Sequence, residues 1–99
     1  MRAIYDALVA ASRAWGDVEE DPKKTSIHLN RRSAFAGVAT RKDTVILTLK
    51  SKTNIKSRRI TRREQVSAER WHVVVRLLSV DDVDAELKRW LKAAYQMSA

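Results

Sequence analysis

The chain has 99 residues, 44% of them hydrophobic, no cysteine and a formal net charge of +8. That length suits one small domain, 1–99, with a thin core; the missing thiols exclude a disulfide framework and thiolate chemistry and suit a reducing, cytoplasmic location. No apolar run approaches the roughly 20 residues that cross a bilayer, and Asp6 and Arg13 interrupt the short N-terminal apolar stretch, so neither a membrane span nor a signal peptide is expected.

Residues 2–15 read as a helix, because Ile4, Leu8, Ala11 and Trp15 recur at helical spacing and Gly16 follows as a C′ residue. The helix starts almost at Met1 with no capping residue before it. A C-terminal domain excised from a longer protein would begin this way, and so would a short natural chain. Asp17 to Asp21 is acidic and reads as a solvated loop closed by Pro22.

Five strands are then expected. Lys23 to Asn30 alternates Ile27 and Leu29 with Lys24, Ser26 and His28. A turn at Asn30–Ser33 leads to Ala34–Thr40, where Phe35 and Val38 fall out of step and Gly37 marks a bulge or a close backbone approach. Thr44 to Lys50 is the clearest strand, with Val45, Leu47 and Leu49 facing in. Ser51 to Ser57 is a polar, basic loop, and Arg58 to Glu64 is a strand supported by Ile60 and Thr61 alone. Trp71, Val73, Val75 and Leu77 then share one strand face. Ser79 reads as an N-cap with Asp81 and Asp82 in the first turn, where the helix dipole favours acids. The helix beyond carries Val83, Leu87, Leu91 and Ala94 in one stripe, flanked by Trp90 and Tyr95. The economical assembly is an α+β domain: a helix, a five-stranded antiparallel meander and a C-terminal helix, with both helices on one face of the sheet.

The residues Lys24-Thr25-Ser26-Ile27, Phe35-Ala36-Gly37-Val38, Trp71-His72, Val75-Arg76-Leu77, Ser79, Val83-Asp84, Trp90-Leu91 and Ala94-Tyr95 resemble, in order and spacing, a bacterial family known as domain of unknown function 5655. The resemblance covers residues 22–97, and the helix at 2–15 fits the family's lead-in. It implies a bacterial cytoplasmic protein, sometimes placed behind another small domain of unknown function. It implies no established activity, so no catalytic residue is carried over. The plan is also similar to that of frataxin-like α+β domains, a likeness of layout that carries no function. The stretch 50–63 is richer in Lys and Arg than the resemblance implies, so a function built on it belongs to this chain.

Enzymatic chemistry finds little support in these residues. Two glycines cannot make a glycine-rich phosphate loop, and no nucleophile elbow or metal-ligand spacing is present, so no catalytic residue, metal or cofactor is expected. His28 and His72, the only histidines, read as strand residues on the polar face; paired near a lysine they would be the elements of acid–base cleavage of RNA. Trp15, Trp71 and Trp90 lie on apolar stripes and read as core or core rim, which argues against a stacking platform for single strands.

Charge is the uneven quantity. Between Lys50 and Arg70 eight basic residues face only Glu64 and Glu69, which accounts for +6 of the net +8. In a meander, the turn holding Arg31 and Arg32 and the segment Lys50, Lys52, Lys56, Arg58, Arg59 share one end of the sheet, while alternation puts Arg59, Thr61 and Arg63 on the open face with His28, Thr48, His72 and Arg76. With Arg62 these residues define a candidate nucleic-acid or polyanion surface. An acidic protein partner, which would make this an interaction or accessory domain, is the alternative, and a solvated edge that blocks aggregation is the plain reading.

Overall fold

A computed structural model describes residues 2–98. Helix α1 (Arg2–Arg13) buries Ile4, Tyr5, Leu8 and Val9, the stripe its spacing requires. The chain leaves this helix through Gly16, whose φ of +149° and whose contact with the Tyr95 hydroxyl leave no room for a side chain. Six strands follow: β1 (Glu19–Pro22), β2 (Ile27–Asn30), β3 (Ala34–Arg41), β4 (Thr44–Ser51), β5 (Ile60–Ser67) and β6 (Arg70–Leu77). A 3-10 turn at Val80–Asp82 then leads to α2 (Ala85–Met97). The strands form one antiparallel sheet in the order β1-β2-β3-β4-β6-β5. Both helices cover one face, where Val45, Leu47, Leu49, Val73, Val75 and Leu77 join Leu8, Leu87, Leu91 and Tyr95 in a single core. The α+β class and the placement of the helices are as expected.

The sheet departs from the expected meander in three ways. The acidic stretch is not a loop. Residues 19–22 pair with β2, and Glu20 docks the strand on α1 by accepting from the Tyr5 hydroxyl and from Arg13 at 3.0 Å. Strand β6 lies between β4 and β5, so β5 is an edge. Composition explains the order: β6 carries Val73, Val74 and Val75 in a row, which suits a strand flanked on both sides, whereas β5 buries only Ile60. Finally, Ile60 pairs with Val75 and Arg62 with Val74, which leaves Thr61 in a bulge. A bulge reverses the alternation beyond it, so Arg62 and Glu64 reach the open face and Arg63 turns to the helix side. The expected placement of Arg63 on the open face is thereby corrected; Arg59, which precedes the bulge, is also on the helix side, where it bonds Asp84 and Glu86.

Two local details also move. The extra residue in β3 is Phe35, left unpaired between Ala34 and Ala36 and packed edge-on to Tyr95 with ring centroids 5.2 Å apart; Gly37 is in register with His28 and Thr48. Ser79 is the N-cap of the 3-10 turn Val80–Asp82, as expected, but α2 itself begins later and is capped by Asp84, which accepts from the Leu87 N–H at 3.0 Å. The earlier turn is closed by the Asp82 carboxylate, which accepts from the N–H groups of Leu78 and Ser79. Among the described residues no helix is long and apolar enough to cross a membrane.

Candidate functional site

The order of strands decides where the basic residues go. Strand β4 ends at Ser51, opposite Trp71, whereas β5 begins at Ile60, opposite Val75. Residues 52–59 therefore run from one end of the sheet back toward the other, beside β6. Ile55 packs against the core, so this crossover lies on the helix side. It carries Arg58 and Arg59 away from Arg31 and Arg32, and the expected single cluster at one end of the sheet is divided in two.

At the first end, Arg31 and Lys50 attend the C-terminus of α2, where exposed carbonyls favour positive charge. The Arg31 guanidinium lies 4.4 Å from the centre of the Tyr95 ring and donates to the Tyr95 carbonyl at 3.4 Å. Lys50 donates to the hydroxyls of Ser33 (2.9 Å) and Ser98 (3.0 Å). Burial, and then the charge of Arg70, hold the Lys50 ammonium below its usual range. The Arg32 N–H donates to the Ser98 carbonyl at 3.3 Å while its guanidinium is exposed. Lys52 and Arg70 are exposed beside the β5–β6 turn.

At the other end, Arg59 holds the start of α2. It donates to both carboxylate oxygens of Asp84 (2.9 and 3.1 Å), to Glu86 (3.3 Å) and to the Asp82 carbonyl (2.7 Å), and it lies over the Trp90 ring at 5.7 Å. The Leu87 N–H, and then Arg59, hold the Asp84 carboxyl below the usual carboxylate range. Arg63 ties the crossover to β5 by donating to the carbonyls of Ile55 (3.1 Å) and Ser57 (3.3 Å). Four of the nine expected site residues, Arg31, Lys50, Arg59 and Arg63, thus bond to the fold through their side chains.

The side chains of the other five, Arg32, Lys52, Lys56, Arg58 and Arg62, are exposed, with no ion pair among the described residues. Lys56 and Arg58 flank a shallow depression with Asn54, Ser57 and Arg63. Arg62 stands on the opposite side of the same edge strand. Of the acids around them, Asp84 and Glu86 are taken by Arg59, while Glu64, which shares the open face of β5 with Arg62, and Glu69 make no ion pair among the described residues. The result is a basic ridge along the β5 edge, with Lys52 and Arg70 at one end of it. Arg70, and Arg76 on the open face, add to the positive surface; Arg70 was readable as a member of the charge run, and strand alternation placed Arg76.

The open face holds both histidines, as expected, but not as a pair. His28 lies on β2 and His72 on β6, three strand spacings apart, which is roughly 14 Å. One phosphodiester cannot lie between them as between an acid and a base. Trp15 and Trp90 pack against the core and Trp71 is half-buried, so no tryptophan offers a free stacking surface. Among the described residues no group of three or more His, Cys, Asp or Glu is placed to hold a metal ion.

Neither the curated proteins nor the solved structures contain a match to the chain. A family model does match, over residues 1–98, and it covers the helical lead-in as well as the sheet and α2; the chain belongs to DUF5655, a domain of unknown function.

Proposed function

We propose that this protein is a binding module, not an enzyme, and that the ridge along β5 and the crossover takes a polyanion, nucleic acid first among them. The observation that carries this reading is the division among the basic residues: Arg59 occupies Asp84 and Glu86, while Lys56, Arg58 and Arg62 stand exposed at the edge with no ion pair among the described residues. Ser57 and Asn54 lie among these cations and add polar groups of the kind that bond phosphate oxygens. The contacts are to backbone phosphates, so binding is largely independent of sequence.

A salt titration of duplex DNA and duplex RNA, read by fluorescence anisotropy, tests the reading. With about four phosphates contacted, log affinity falls against log salt with a slope near −4, and changing Lys56, Arg58 and Arg62 together to Ser flattens it by up to about 3. Dissociation constants weaker than about a millimolar at low salt, or a slope that the triple variant leaves alone, would return the ridge to a solvated edge. Capture of an acidic protein without nucleic acid would favour an accessory domain instead.

A further inference from the structure

The chain has two glycines, and they differ in what the fold asks of them. Gly16 is required, as its backbone angle and the Tyr95 hydroxyl show. Gly37 is not. It sits in the middle of β3, in register on both sides, with an ordinary backbone conformation. A Cβ built there would lie 3.8 Å from the His28 ring and 3.9 Å from Thr48, both ordinary contacts. A mid-strand glycine weakens a strand, and where no bulge or bend needs it, it marks a place that another group approaches closely. No helix covers this face.

Gly37 is the floor of a trough of about 600 Å³ on the open face of the sheet. Ala39 and Ile46 extend the floor, and Thr48, His28 and His72 supply polar groups around it. Lys50 stands at one end, its ammonium donating to Ser33 and Ser98 and forming no ion pair with a carboxylate among the described residues. None of the lining residues is acidic. The nearest carboxylates by register are Asp21, opposite His28 and bonded to Lys23 at 2.9 Å, and Glu64, opposite His72. An apolar floor with a few convergent polar groups and a volume of this size is the ordinary form of a small-ligand site.

We infer that this trough takes one nucleotide unit: a flat heteroaromatic base over Gly37 beside the His28 ring, with its phosphate at Lys50 and His72. The flat floor fits a ring and rejects a branched body. The Lys50 ammonium, which meets no carboxylate among the described residues, fits an anion, and the histidine offers a stacking face. The unit has two sources, a free mononucleotide or an unpaired residue of a nucleic-acid strand. The inference stands on residues that the basic ridge does not use, so either can fail alone.

The test uses the full chain, the four nucleoside 5′-monophosphates, inorganic phosphate and a labelled single-stranded hexanucleotide. Amide shifts in NMR spectra are expected at Gly37, Thr48 and His72, and not along 52–63. Gly37→Val, which fills the floor, is expected to weaken binding at least about tenfold while leaving the salt slope of duplex binding unchanged. Gly37→Ala, with its ordinary contacts, serves as the folded control and weakens binding less. A hexanucleotide that binds more tightly than any mononucleotide, and loses that advantage in Gly37→Val, identifies a strand as the source; equal affinities identify the free nucleotide. Inorganic phosphate binding as tightly as the nucleotides, shifts confined to 52–63, no binding by any probe at millimolar concentration, or indifference to Gly37→Val would each overturn the proposal.

Discussion

Arg58 and Arg59 are neighbours in sequence and opposites in structure. Arg59 turns inward to the start of α2 and makes four hydrogen bonds. Arg58 turns outward and makes none from its side chain among the described residues. The same contrast separates Arg63, bonded to the crossover, from Arg62, free on the open face. A run of like charge is thus two populations, one that holds the fold and one available to a ligand. What distinguishes them is the direction in which the backbone aims each side chain, and a bulge or a crossover sets that direction.

The largest expected effect lies outside the run and gives the scale for it. Leu87 is fully buried in the first turns of α2, the helix that Arg59 holds. Leu87→Ala is expected to destabilise the protein by about 2–5 kcal/mol, measured by urea denaturation. A loss below about half a kcal/mol would show that this stripe is not the core.

Arg59→Ser comes next. It removes hydrogen bonds to charged partners, but Asp84 and Glu86 are close to half exposed, and solvent screens what they contribute. A loss of about 1–2 kcal/mol is expected, below that of Leu87→Ala. If Arg59→Ser were as harmless as a surface change, the division between inward and outward arginines would collapse.

How much of this was legible depends on what each element asks of its residues. Helix α1, β4 and β6 show in the sequence because burial imposes a period on them, as in Val45, Leu47 and Leu49. Strand β1 does not, because an edge strand of sequence Glu-Glu-Asp-Pro is held by backbone pairing and by Glu20 on α1, not by an apolar face. The position of β6 between β4 and β5 left a trace in its valine run, against the single buried residue of β5, but hairpin adjacency argues as strongly for a meander. The bulge at Thr61 left none, and it decides which arginines reach the open face. The face that each candidate arginine occupies was therefore not legible in the sequence. At Gly37 the sequence offered a bulge or a close backbone approach, and the bulge lies at Phe35 instead, with Gly37 in register on both sides.

Acid sharpens the contrast at Arg59. The Asp84 carboxyl is held below its ordinary range by the Leu87 N–H and then by Arg59. A group with a depressed folded pKa stabilises the protein above its unfolded value, about 3.9 for Asp, and that contribution is lost as the pH falls through the folded value. Stability is thus expected to be full near neutrality and to fall below about pH 4. Asp84→Asn should flatten that acid limb, and Arg59→Ser should reduce it only in part, because the Leu87 N–H remains. Thermal melts between about pH 2 and pH 7 read both; an acid limb unchanged in Asp84→Asn would remove the carboxylate from the account. At the alkaline end, burial and then the bond to Glu20 push the Tyr5 hydroxyl up to about 12. Its contribution is present below about pH 10, the unfolded value, and is lost as the pH rises through the folded one.

The smallest expected effect is the one that divides the two populations most cleanly. Lys56, Arg58 and Arg62 form no ion pair among the described residues, and all three are exposed. Changing them to Ser removes three like charges from one edge, which relieves repulsion and takes away no bond. Each change should stay within about half a kcal/mol in stability, the range of ordinary surface substitutions, and the triple variant should melt no earlier than the parent at low salt, where the repulsion is least screened. Adding 0.5 M salt should then stabilise the parent more than the variant, since the parent has more charge to screen. A triple variant as damaged as Arg59→Ser would place these side chains in the fold and leave the ridge nothing to offer a phosphate.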